Sequence, residues 1–199
     1  AAISHDLRTP VTLLRLRAEA IQDRRESEKL LNTLDEMEEM IASVLEFTRA
    51  TLLDEPLRQV DLSALLSSIC DDLGDAGATV TCEVPGRTPY SCRRTSLKRA
   101  LVNLLDNAVK YGKRADVKLS RDDGELRITV CDDGPGIPED QKQHVFMPFH
   151  RVESSRNADT GGIGLGLSIA QTIVHGHGGR IDLHNREPRG LAVTVHLPL

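Results

Sequence analysis

The sequence predicts an α+β protein: an antiparallel helical hairpin, followed by a larger region that mixes strands and helices. Two observations carry this. Residues 1–53 contain no glycine and a single proline, Pro10, whereas all fifteen glycines fall after residue 57. The first stretch repeats its apolar residues at helical spacing, and the second alternates helical runs with short strand-like ones. Between them, Leu53-Asp54-Glu55-Pro56 reads as a linker, because proline and acidic residues end helices. The expected domains are therefore residues 1–55 and 56–199.

In the hairpin, Ile3, Leu7, Val11, Leu14, Ala18 and Ile21 recur at spacings of three and four, and so do Leu30, Leu34, Met37, Ile41, Val44 and Thr48. Both rows are heptad-like seams. The polar break Gln22-Asp23-Arg24-Arg25-Glu26-Ser27 is short, which makes the helices antiparallel neighbours. Two helices alone leave part of each apolar stripe wet. Pairing with a second copy into a four-helix bundle covers it; packing on the chain's own second region is the alternative.

In the second region, Asp61 is placed to cap a helix over Leu62 to Leu73, with Gly74 as its stop. Ala78 to Val84 reads as a strand. Ser96 to Tyr111 reads as a helix ending at Gly112. Val117–Leu119 and Leu126–Val130 read as strands, the latter alternating Leu126, Ile128 and Val130 against Arg127, Thr129 and Cys131. Leu165 to His175 is helical in pattern, and Gly179–Leu183 and Leu191–Leu197 read as closing strands. Residues 150–161 are polar and unpatterned.

Composition narrows the function. Hydrophobic residues make up 39% and charged residues 28% of 199, enough to build a sizeable core. A net charge of −5 argues against general nucleic-acid binding, which needs a basic surface. No apolar run reaches the ~18 residues of a membrane span, and no signal peptide opens the chain. Cys70, Cys82, Cys92 and Cys131 are scattered without a C-x-x-C pair, so buried thiols in a reducing compartment are expected rather than a zinc or redox motif. The opening Ala1-Ala2-Ile3 is helix-like without an initiator Met, as expected of a piece of something longer.

Four stretches carry chemistry. In Ser4-His5-Asp6-Leu7-Arg8-Thr9-Pro10, His5 and Thr9 lie one helical turn apart on a shared face, while Leu7 turns to the seam. A neutral imidazole is a nucleophile, and a neighbouring carboxylate can take the proton released on attack. Pro10 cannot donate to the carbonyl of Asp6, so the helix loosens there. Taken alone, a surface His beside an Asp is usually inert.

Asn103, Asn107, Lys110 and Tyr111 share one face of a helix whose opposite face is Leu97, Leu101, Leu104, Leu105 and Ala108. A carboxamide oxygen suits Mg²⁺, and an amine suits a phosphate; a merely solvated polar face is the competing reading. In Val130-Cys131-Asp132-Asp133-Gly134-Pro135-Gly136-Ile137-Pro138, a strand ends in a carboxylate and turns tightly. A buried Asp there would accept from the amine of adenine and repel the carbonyl of guanine. A surface acidic turn is the plainer alternative. In Gly161-Gly162-Ile163-Gly164-Leu165-Gly166-Leu167-Ser168, glycines open a helix, where backbone amides cradle phosphates. The spacing and the polar lead-in fit neither a Rossmann nor a Walker A loop.

Taken in order, these stretches resemble the HisKA-type sensor histidine kinases, with an H-box region closest to the osmosensor-like branch. SHDLRTP is similar to the H box, NLLDNAVKYG to the N box, DDGPGIP to the G1 box, FMPF to the F box and GGIGLGLSIA to the G2 box. The HGG at 177–179 is similar to a further family element. The likeness implies a dimerising histidine-phosphotransfer hairpin and the ATP-binding α/β sandwich of the gyrase, chaperone and mismatch-repair ATPases. It implies His5 as phosphoacceptor, Asp6 as its proton acceptor, and Thr9 as the positioner of water in dephosphorylating a partner. ATP contacts would come from Asn103, Asn107, Lys110, Tyr111, Asp132, Gly134, Gly136, Ile137, Gly162, Gly164, Leu165, Gly166 and Leu167. Asn107 would hold Mg²⁺, and Phe146 and Phe149 would anchor a lid over residues 147–161. The implied partner is the receiver aspartate of a response regulator, and the implied setting is the cytoplasmic portion of a bacterial inner-membrane protein, with any membrane contact through segments outside this chain. Arg189-Gly190-Leu191-Ala192 departs from the family's aromatic-containing ending. A hydrolytic ATPase and a serine-directed kinase are rival readings, and neither calls for His5 on a preceding hairpin; a non-catalytic binding module is a third, against which the intact Asn107, Asp132 and glycine loops argue.

Overall fold

The computed structural model describes residues 2–50, 55–122, 124–152 and 163–199; side chains at 2–9, 36, 39, 40 and 43–50 are outside that description. Helices α1 (Ala2–Glu19) and α2 (Arg24–Ala50) form the hairpin. The turn is shorter than the polar run suggested, because Asp23 caps α2, accepting from Arg25 N at 2.9 Å and Glu26 N at 3.3 Å. Arg24 to Ser27 are thus the first turn of α2, and the Ser27 hydroxyl donates back to Ala18 O at 2.9 Å. Val11, Ala18 and Leu34 are buried between the helices, with Leu31 and Ile41 packed against them. Arg15 reaches across to Asp35 and Glu38. The seam residues Leu14, Leu30 and Met37 are 45%, 42% and 41% exposed, so one copy of the hairpin covers only part of its apolar face.

The second region continues through β1 (Arg58–Asp61), α3 (Leu62–Asp75), β2 (Thr79–Glu83), β3 (Pro89–Cys92), α4 (Arg94–Gly112), β4 (Arg114–Asp122), β5 (Glu125–Cys131), α5 (Gly166–Gly176), β6 (Arg180–Asn185) and β7 (Leu191–Pro198). One sheet has the order β2-β4-β5-β7-β6, with β2 parallel to β4 and the other pairs antiparallel. A small antiparallel sheet pairs β1 with β3, two strands that the sequence pattern did not announce.

Helices α3, α4 and α5 cover one face of the large sheet. That face is Ala115, Val117 and Leu119 on β4, Leu126, Ile128 and Val130 on β5, Ile181 and Leu183 on β6, and Val193, Val195 and Leu197 on β7, all buried. The alternation seen in Leu126–Val130 is therefore the pleat of a sheet covered on that face. From α4, Leu97, Ala100, Leu101, Leu104, Leu105 and Ala108 are each at most 3% exposed. Burying this row anchors α4 by its leucines and turns its polar face aside.

Two expected helix stops move. Asp61 caps α3 as expected, accepting from Ser63 N at 3.1 Å and Ala64 N at 3.5 Å. The helix passes through Gly74, however, to Asp75, and the left-handed residue beyond it is Gly77 (φ +91°), with Ala78 N bonded to Leu73 O and Gly77 N to Gly74 O. Gly112 likewise lies within α4, and the left-handed residue beyond it is Lys113 (φ 61°). Gly112 is needed for space instead: a Cβ there would come within 2.5 Å of Asp132 Cβ and 2.8 Å of Asp133 N.

Candidate functional site

Pressed against Gly112, the loop after β5 and the far half of α4 form two walls of a cavity of about 260 Å³. The polar face of α4 supplies Asn103, Asn107, Lys110 and Tyr111. The loop supplies Asp132, Gly136 and Ile137, and the approach to α5 supplies Gly164, Leu165, Gly166 and Leu167. Leu104, Ala108, Val145, Ile169 and Val193 make the apolar floor. Residues that are 60 positions apart in sequence thus meet because α4 and α5 pack side by side on the sheet.

Gly134 stands behind this wall rather than in it. Its amide donates to Asp132 Oδ1 at 2.7 Å, and a Cβ on it would come within 2.8 Å of the same oxygen. Gly162 lies outside the described residues, as does most of the expected lid, 153–161. His5, Asp6 and Thr9 sit on α1, with Pro10 inside the helix, and their side chains are outside the description.

Asp132 is 6% exposed. Leu191 N is a second donor to its Oδ1, at 3.2 Å, and its own amide donates to Leu191 O at 2.9 Å. Burial pushes its carboxyl above the ordinary range, and the amides of Gly134 and Leu191 together with Arg186 offset only part of that. Both protein donors converge on one oxygen, so Oδ2 is the acceptor available to a ligand.

On the opposite side, Gly166 opens α5 against the amides of α4; a Cβ on it would lie 3.4 Å from Asn107 Nδ2. No side chain caps α5 at Leu165. Asn103 Nδ2 is buried and without a hydrogen-bond partner among the described residues. An uncapped helix start facing an unpaired amide donor is a setting for an anion.

Phe149 departs from the expectation of an aromatic anchor. Its ring is 59% exposed at φ +67°, and it is tied through its backbone, Phe149 N to Gly164 O at 3.1 Å, whereas Phe146 packs on the core. His150, Arg151 and Val152 also line the cavity, though no pattern singled them out.

Comparison with known proteins places these features. Residues 92–199 match the family model described as histidine kinase-, DNA gyrase B-, and HSP90-like ATPase, and residues 1–52 match the His Kinase A (phospho-acceptor) domain. The chain belongs to the sensor histidine kinases. The sensor histidine kinase GtrS of Pseudomonas aeruginosa is 45% identical over 202 residues, which is all of this chain and 41% of that protein. CpxA of Escherichia coli is 31% identical over 208 residues, covering 99% of this chain and 46% of its own. This kinase chain thus spans less than half the length of those relatives. Full-length ShkA, crystallised with AMPPNP, aligns over all of this chain and 45% of its own at TM-score 0.78 and 24% identity, a likeness of fold. The histidine kinase domain of the E. coli osmosensor EnvZ aligns over 72% of this chain and 89% of its own, at TM-score 0.57 and 34% identity.

Within this kinase, two residues beside the site carried no sequence signal. Asn185 and Arg186, at the end of β6, hold the loop after β5: Asn185 bonds both backbone groups of Ile137, and Arg186 Nη1 donates to Asp132 O at 2.9 Å. His177, in the HGG element, links the two helices of the cavity. Its Nδ1–H donates to Ile173 O at 2.7 Å, so its Nε2 accepts from Arg93 N, at 3.1 Å. Only the HGG resemblance could have drawn attention to it.

Proposed function

We propose that this chain is the catalytic core of a sensor kinase that transfers the γ-phosphoryl group of ATP to His5 and then to an aspartate of a response-regulator receiver. The observation that carries the ATP half is Asp132: a buried carboxylate with one oxygen held by two backbone amides and the other left for the exocyclic amine of adenine. Ile137 and the apolar floor suit the faces of a purine. At the other end, Asn103, Lys110 and the amides opening α5 around Gly164, Leu165, Gly166 and Leu167 would take the phosphates, with Gly162 adjoining them in sequence.

Asn107 would hold Mg²⁺. The fit rests on the donor set: a hard carboxamide oxygen beside an unpaired donor, Asn103 Nδ2, at a helix start. Such a cation would neutralise charge on the phosphates as the bond to the leaving group lengthens.

In the transfer, the imidazole lone pair of His5 forms a bond to the γ-phosphorus as the bond to the β–γ bridging oxygen breaks, and ADP leaves. Asp6 takes up the imidazole proton. Thr9, one turn on, would position water when the phosphorylated regulator is hydrolysed. The exposed Leu14, Leu30 and Met37 support pairing of hairpins from two copies into a four-helix bundle. No described helix is long and apolar enough to cross a membrane; the reading places this chain on the cytoplasmic side of an inner-membrane sensor, anchored by segments outside it.

The deciding experiment uses ATP labelled at the γ-phosphate. The chain is expected to acquire label that is acid-labile and base-stable, as a phosphoramidate is. His5→Ala should acquire none while still binding nucleotide, because His5 and the cavity lie on separate elements. Stoichiometric label on His5→Ala would overturn the assignment.

A further inference from the structure

Consecutive residues of the β6–β7 turn grip both ends of the loop that carries Asp132. At one end, Asn185 imitates a strand partner: its Oδ1 accepts from Ile137 N at 2.9 Å and its Nδ2 donates to Ile137 O at 2.8 Å. The loop lies so close that a Cβ on Gly136 (φ +74°) would come within 2.7 Å of Asn185 Oδ1. At the other end, Arg186 Nη1 donates to Asp132 O at 2.9 Å and to Asp133 Oδ1 at 3.3 Å. Arg186 N donates to Gly190 O at 2.9 Å, closing the turn, and the next residue, Leu191, supplies an amide to the Asp132 carboxylate. Gly190 (φ +116°) leaves no room for a side chain, since a Cβ would fall 2.1 Å from Asp132 O.

We propose that this turn, through Asn185 and Arg186, is the positioning element of the base pocket, and that it sets the preference for adenine. The proposal rests on the reading of Asp132 given above. A carboxylate discriminates an amine from a carbonyl only if its free oxygen stands at hydrogen-bonding distance while the ring is held against an apolar wall. Here the acceptor is Asp132 and the wall includes Ile137, five residues apart on one loop. Adjacent residues of one turn hold each of them, so the turn fixes the distance between them. Asn185 and Arg186 touch no substrate atom in this account; they act through Ile137 and Asp132.

The test compares ATP with inosine triphosphate, which carries a carbonyl oxygen where adenine has its amine, by calorimetry on the 199-residue chain. Asn185→Ala orphans both backbone groups of Ile137. It is expected to weaken ATP binding about tenfold and inosine triphosphate far less, so that the ratio of the two affinities shrinks about fivefold. Arg186→Ala should move the ratio in the same direction, and it decides the matter if Asn185→Ala does not fold by circular dichroism. Equal losses for both nucleotides would mean a merely structural role, and no loss would mean none; either result overturns the proposal. Asp132→Ala is measured alongside. If it leaves the preference for ATP intact, the reading of Asp132 fails. If it abolishes the preference while Asn185→Ala and Arg186→Ala do not, only the positioning role fails.

Discussion

Glu55, on the segment joining the hairpin to β1, accepts hydrogen bonds from both the amide and the hydroxyl of Ser96, 41 residues along the chain, each at 2.9 Å. A third comes from Thr95 N at 2.7 Å. Helix α4 has no side-chain cap of its own at Arg93, so a carboxylate from the linker takes that task. The helix held in this way is the one that carries Asn103 and Asn107 into the cavity.

Removing this remote cap has a predictable cost. Glu55→Ala should destabilise the chain by about 1 kcal/mol, the usual worth of an N-cap side chain. Burial pushes the Glu55 carboxyl up, but the hydrogen bonds from Thr95 and Ser96 outweigh it and hold the group below the ordinary 4.5. A depressed carboxyl contributes in full above its unfolded value and loses its contribution as pH falls through the folded one. Urea unfolding should therefore separate wild type from Glu55→Ala at neutral pH, and the gap should close in acid. A gap that persists in acid would assign the effect to packing instead.

What could be read from sequence was local. The leucine face of α4, the Asp61 cap and the alternation in β5 each lie within one element, and the structure shows each in place. The residues that meet at the cavity were picked out in the same local way: Asn103 and Asn107, Asp132, and Gly164 and Gly166 each belong to a short motif that can be recognised by itself. Glu55, Asn185 and Arg186 were not legible, because their partners lie 41, 48 and 54 residues away and no periodicity encodes a pairing of that kind. Strands β1 and β3 escaped for another reason. Each is four residues long, and neither Arg58-Gln59-Val60-Asp61 nor Pro89-Tyr90-Ser91-Cys92 makes a convincing apolar alternation.

Asp132 sets stability against binding. Its raised carboxyl means that burial penalises the charged form, a cost present above the folded pKa that disappears as pH falls through it. Asp132→Asn keeps an oxygen for the amides of Gly134 and Leu191 but turns an N–H group toward the adenine amine. The nucleotide-free variant should melt higher than wild type at neutral pH, while ATP affinity falls about tenfold. Scanning calorimetry and nucleotide titration read the two halves, and a variant that binds ATP as wild type does would sink the adenine role.

Glycines in the two helices should respond in opposite ways. Gly112→Ala drives a methyl into Asp132 Cβ and Asp133 N, so a loss of about 2 kcal/mol is expected, with weaker ATP binding as the loop shifts. Gly74→Ala meets nothing within 4 Å in α3 and should gain about 0.5 kcal/mol from helix propensity near a helix end. Denaturant midpoints test both. If Gly112→Ala were as stable as wild type, the close approach of α4 to the Asp132 loop would not be what requires glycine there.

Thr9 separates the two activities expected at one turn of α1. The helix runs from Ala2 to Glu19, which places positions 5 and 9 on one face, and Pro10 follows directly inside it. A threonine hydroxyl is too weak an acid or base to drive phosphoryl transfer to imidazole, but it can hold a water against a phosphoaspartate docked over the same face. Thr9→Ala is therefore expected to keep most self-phosphorylation and to lose acceleration of receiver dephosphorylation, while Thr9→Ser, which retains the hydroxyl, keeps part of that acceleration. The measurement is the decay of purified phospho-receiver with each variant in the presence of ADP, beside labelling of the variant itself by ATP. Undiminished decay with Thr9→Ala would remove the water-positioning role. Loss of labelling in a variant whose helices persist by circular dichroism would instead make Thr9 part of the kinase geometry around His5.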